Sequence, residues 1–101
     1  MGQAVLRIQG LPGTPLDAAT EFHRAWLPQA RDACQTGDVA LVFAPAGHEH
    51  RAWRLAAVQA LAREAAPRRA NAVVGEGDAV EHTVGWLARA PGITGQLLAV
   101  D

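Results

Sequence analysis

Val39-Ala40-Leu41-Val42-Phe43 is an unbroken apolar run, with no polar residue on either side of the pleat that a strand here would make. It is too short for a buried helix and is bracketed by Gly37-Asp38 and Pro45, so it reads as a strand. A strand without alternation has to be covered on both faces, which is the usual condition of a parallel sheet sandwiched by helices. That one segment therefore argues against helical bundles and half-solvated antiparallel sheets.

The flanking periodicity fits. Ala4 to Ile8 is a short apolar run ended by Gly10 and the Pro12-Gly13 turn signal, a first strand. Thr14 is placed to N-cap a helix, with Pro15 at its first position and Asp17 as an acidic form of the capping box. Leu16, Ala19, Phe22, Trp26, Ala30 and Ala33 then keep helical spacing to about Gln35, with a kink expected at Pro28 and an end at Gly37. Glu49 to Ala65 is a second helix, with Trp53, Ala56, Ala57, Ala60, Leu61 and Glu64 along one side and Pro67 as its stop. Ala70 to Val74 is a third strand, closed by Gly75-Glu76-Gly77. Asp78 is expected to cap a third helix with Glu81 at the capping-box position and Val80, Val84 and Leu87 as its stripe, up to Pro91-Gly92. Gln96 to Val100 is the last strand.

The order β-α-β-α-β-α-β over residues 1–101 describes one α/β domain of about four mostly parallel strands and three helices, in two or three layers. Crossovers that advance in one direction and obey the right-handed rule put their helices on one face. Unless the last helix switches sides, the opposite face is bare, and Val39 to Phe43 and Val73-Val74 need a partner to cover it. The Ala4 to Ile8 strand lies at an edge that invites pairing.

Composition narrows the function classes. Half of the 101 residues are hydrophobic and 19% are charged, which is a globular balance. A net charge of -1 gives no case for nucleic acid or an anionic membrane as partner. No apolar stretch approaches the roughly 20 residues of a membrane span, and no signal-peptide pattern opens the chain, so a soluble cytoplasmic protein is expected. Cys34, the single cysteine, suits a reducing compartment and reads as a small buried helix residue.

His48-Glu49-His50 is the one local cluster with ligand chemistry. Imidazoles two residues apart at a helix start point about 200° apart around the axis, so solvated capping residues are expected rather than a metal site. Trp26, Trp53 and Trp86 sit one per helix; tryptophan is enriched where subunits dock, which makes Trp26 and Trp53 interface candidates. Arg51, Arg54, Arg68 and Arg69 could form an anion site, but surface arginines with Glu64 and Glu76 nearby in sequence are expected instead.

Several stretches resemble the C-terminal half of classical short-chain dehydrogenases/reductases: Arg24-Ala25-Trp26-Leu27-Pro28, Gly37-Asp38-Val39-Ala40-Leu41-Val42, Ala60-Leu61-Ala62-Arg63-Glu64-Ala65-Ala66-Pro67, Asn71-Ala72-Val73, Gly85-Trp86-Leu87-Ala88, and Ile93-Thr94-Gly95-Gln96 to Val100-Asp101. The resemblance implies a truncated Rossmann-like fold. It also places the family's catalytic serine at Ala44 or Pro45, its tyrosine at Gly47 and its lysine at Arg51. The chain has no serine, tyrosine or lysine anywhere. The phenol that moves a proton, the ammonium that tunes it and the hydroxyl that orients a carbonyl are therefore missing. Gly10-Leu11-Pro12-Gly13 lacks the glycine spacing of a pyrophosphate-binding turn, so no cofactor and no metal are expected.

The expectation is a non-catalytic module that self-associates or serves as a structural or regulatory subunit of a full-length relative. The resemblance implies contact through the first two helices, with Trp26, Ala52, Trp53, Ala56 and Ala60 as interface residues. The alternative is a small enzyme or ligand-binding protein with a new pocket at the strand ends, using His48, Glu49, His50 and Arg51.

Overall fold

The computed structural model describes residues 2–100. Strands β1 (Gln3–Ile8), β2 (Asp38–Phe43), β3 (Ala70–Val74) and β4 (Leu97–Ala99) form one parallel sheet in the order β1-β2-β3-β4. The register pairs Gln3 with Asp38, Val39 with Ala70 and Ala72 with Leu97. Each strand is added to the outside of the one before it. The chain is thus an α/β unit, as its periodicity indicated, and a Rossmann-like one, as the resemblance implied.

Helix α1 (Pro15–Glu21) starts as its residues direct. Pro15 holds the first position, and Thr14 Oγ1 accepts from the Asp17 backbone N–H at 3.4 Å while donating to the Asp17 carboxylate at 2.9 Å. Helix α2 (Leu27–Ala33) continues it after a π-helical turn, Phe22–Trp26. The cause is Pro28, which has no N–H for the ladder and whose ring would collide with the carbonyl four residues back. One wider turn, in which Leu27 N–H reaches Phe22 O, absorbs the fault. The expected kink is realised as this bulge. Helix α3 (Arg51–Ala65) follows a 3-10 turn at His48–His50 and buries Arg54, Ala57, Val58, Leu61 and Ala62. Ala56, Ala60 and Glu64, expected on one side with Ala57 and Leu61, are exposed while those two are buried, because the buried stripe starts from Arg54.

Helix α4 (Asp78–Ala88) begins without the expected side-chain cap. Gly77 takes the cap position at φ 79° and Asp78 is already helical. Glu81 turns away to pair with Arg7 of β1, its two oxygens 2.8 and 2.9 Å from the guanidinium nitrogens.

Both faces of the sheet are covered. Val39, Leu41, Phe43, Ala70 and Ala72 pack with Phe22, Ala30, Val58 and Leu61 beneath α1, α2 and α3. The alternate positions Val42 and Val73 pack with Val80, Val84 and Leu87 of α4, joined by Val5, Ile93, Leu98 and Val100. The layers are therefore helix, sheet, helix, and the bare face expected from the right-handed rule does not exist: the last helix switches sides. Because the strands advance steadily while α4 lies opposite α1–α3, the third crossover has the opposite hand to the first two.

Two polar anchors hold this arrangement. Arg69 donates to the carbonyls of Leu87 and Ala90, closing the C-terminus of α4 against the base of the sheet, and Asp38 holds the guanidinium in place. Asn71, 1% exposed, donates to Ile93 O at 3.0 Å and accepts from Gln96 N–H at 3.0 Å, fixing the loop that returns to β4. Gly75 serves the same return. Its φ is 151°, and a Cβ there would meet the Val100 carbonyl at 2.6 Å.

Candidate functional site

The carboxyl ends of β1, β2, β3 and β4 open onto two clefts of about 350 and 310 Å³. Ligands of open parallel sheets gather at this edge because loops there can vary without disturbing the core. The first cleft lies between the β1–α1 loop, from Gly10 to Gly13, and the segment after β2. The second is floored by Val74, Leu97 and Ala99. Ala46, Gly47, His50 and Arg54 line both.

The His48-Glu49-His50 cluster splits. His48 and Glu49 stay exposed, whereas His50 is 6% exposed and engaged at both ring nitrogens. Nδ1 accepts from the Trp53 indole N–H at 3.1 Å, which leaves Nε2 to carry the proton and donate to Gly13 O at 3.0 Å. His50 is thus a structural bridge between the β1–α1 loop and α3, not the solvated residue expected from its position. Among the described residues no three His, Cys, Asp or Glu side chains converge to hold a metal.

The tryptophans part company too. Trp53 closes an aromatic cluster, 5.6 Å between centroids from both Phe22 and Phe43. Trp26 is half-buried at the rim of the same core, and Trp86 is exposed on α4. Ala52, Ala56 and Ala60 form an exposed row on the outside of α3, and Leu16 on α1 is 83% exposed. Burial pushes the Cys34 thiol up, Asp38 and Glu64 add to it and Arg68 opposes them, so this is no ready thiolate.

Arg54 is the residue whose burial the sequence reading missed. Expected among the surface arginines, it is 7% exposed. Its Nη1 donates to Ala44 O at 3.0 Å, its guanidinium carbon stands 4.6 Å above the Phe43 ring, and its Nε has no acceptor among the described residues. Burial alone lowers its pKa from the ordinary value, in contrast to Arg7, Arg24 and Arg31, whose pKa values are raised by the hydrogen bonds they donate to Glu81, Glu21 and Glu64. Arg69 is likewise no free surface cation but the partner of Asp38, and Glu64 pairs with Arg31. A signal for Arg54 did exist: Arg54, Ala57, Val58 and Leu61 fall on one helical stripe.

A family model described as short chain dehydrogenase-like protein matches residues 6–100. Comparison with curated proteins gives no match, and comparison with solved structures gives none either. Among the described residues no helix is long and apolar enough to cross a membrane.

Proposed function

The chain belongs to the short-chain dehydrogenase-like family, and from that membership we propose that it is a non-catalytic member that works by association with a second copy of itself or as a structural or regulatory subunit of a full-length relative. The observation that carries the reading is at Gly47. It lines both clefts where the resemblance assigns the family's tyrosine, and it has no side chain to exchange a proton. Arg51, at the lysine position, lines the second cleft with a guanidinium in place of the family's ammonium. Ala44 and Pro45, at the serine position, offer no hydroxyl.

With both sheet faces covered, the outer face of α3 becomes the contact surface of this reading. Ala52, Ala56 and Ala60 let a second helix approach closely. Trp53 supports that face from within, since its indole is taken up by Phe22, Phe43 and His50. Trp26, half-buried against the core, remains a candidate for the same contact. The reading places the protein in the cytoplasm, with no nucleic acid and no membrane as partner. Light scattering at micromolar concentration is the test, and a dimer or larger species is expected. A monomer with a cooperative melt, alone and mixed with a full-length relative, would overturn association.

A further inference from the structure

A buried arginine without an acid is a costly arrangement, because the charge loses its water and gains no counter-ion in return. Arg54 is in that position. Among the described residues it forms none of the ion pairs, which take up Arg7, Arg24, Arg31 and Arg69. The Phe43 ring and the Ala44 carbonyl give partial compensation. A buried Nε without an acceptor remains.

The second cleft completes the pattern. Its lining includes Arg51, Arg54, His48 and His50 and no carboxylate, while Val74, Leu97 and Ala99 supply an apolar floor. The cleft also opens beside the start of α3, whose backbone dipole favours negative charge. Its volume of about 310 Å³ suits a small organic molecule. Glu49, the nearest acid in sequence, lines the first cleft and not this one.

We propose that the cleft between Arg54, Arg51 and the Val74–Leu97–Ala99 floor is a binding site for a small carboxylate carried on an apolar body. The carboxylate sits at the arginines, where a planar anion matches the planar guanidinium. The apolar body lies along the ends of β3 and β4. This site is independent of association through α3 and stands or falls separately from it.

Titration of the full chain with sodium octanoate, octan-1-ol and inorganic phosphate, followed by ¹H–¹⁵N NMR, tests the assignment. Octanoate is expected to give saturable shifts at the Gly47, Val74 and Leu97 amides and at the Arg54 Nε–H resonance. The alcohol, which keeps the body without the charge, and phosphate, which keeps charge without the body, are each expected to bind about tenfold more weakly or worse. Arg54→Met removes the unpaired charge and is expected to stay folded, with octanoate affinity down by about tenfold or more. Equal binding of octan-1-ol would reduce the cleft to a greasy patch and overturn the proposal, as would phosphate matching octanoate or octanoate shifts that spare Arg54. If Arg54→Met does not fold, the wild-type titrations and Arg51→Gln, exposed and expected to weaken octanoate but not octan-1-ol, decide the matter.

Discussion

Asp38 grips Arg69 from two directions: Oδ2 accepts from Nη2 at 2.8 Å and Oδ1 accepts from the Arg69 backbone N–H at 2.8 Å. The guanidinium so fixed closes the C-terminus of α4, so one carboxylate at the start of β2 determines where a helix on the far face ends. The covered second face depends on this pair and on Asn71.

Burial pushes the Asp38 carboxyl up, but the hydrogen bonds and charge of Arg69 outweigh it and hold the group below the ordinary aspartate value. A carboxyl depressed in the folded state stabilises the fold above its unfolded pKa, about 3.9, and loses that contribution as pH falls through the lower folded value. Asp38→Asn should therefore cost about 2–3 kcal/mol at pH 7, with the gap to wild type closing below about pH 4. Urea unfolding at several pH values measures this. A constant gap down to pH 2 would mean that the ion pair does not anchor α4.

His50, itself buried, is bonded at both ring nitrogens, and removing it breaks both bonds. His50→Ala should lower stability by about 2–4 kcal/mol, from the lost Gly13 and Trp53 hydrogen bonds and the cavity left behind. Trp53→Phe keeps a ring beside Phe22 and Phe43, removes one donor, and should cost less. Denaturant midpoints check the order, and a His50→Ala variant within about 0.5 kcal/mol of wild type would contradict the bridge.

Ala56 and Ala60 are exposed, so Ala56→Glu or Ala60→Glu should leave the single chain folded. At a close helix seam the same change overpacks and buries a charge, costing roughly 3 kcal/mol or more. Light scattering should then report a smaller species than wild type. A folded variant of unchanged mass would remove the α3 face from consideration as the contact.

Nicotinamide cofactors should not bind. Gly47, Arg51 and the Gly10–Gly13 loop supply neither a proton-transferring group nor a phosphate-binding turn. NADH or NADPH titrated while tryptophan emission is followed should give no saturable change. Binding tighter than about 100 μM, roughly -5.5 kcal/mol, would show a cofactor site.

The element order and the parallel sheet were legible in the sequence because they follow from local rules. The apolar run Val39 to Phe43 could only be a strand covered twice, Thr14-Pro15 could only open a helix, and Pro28 had to disturb one. The α4 stripe of Val80, Val84 and Leu87 was equally plain. Periodicity says which residues seek a core, but not which side of the sheet that core occupies. The side of α4 was decided by Arg69 reaching Leu87 and Ala90 and by Asn71 reaching Ile93 and Gln96, contacts about twenty residues apart in sequence. The same limit applies to the clefts. Residues at the strand ends were recognisable as neighbours, whereas the turning inward of His50 and the burial of Arg54 without an acid depend on what Gly13, Phe43 and Ala44 place around them. Charge and hydropathy belong to a residue, but desolvation belongs to its surroundings, and only the folded chain supplies those.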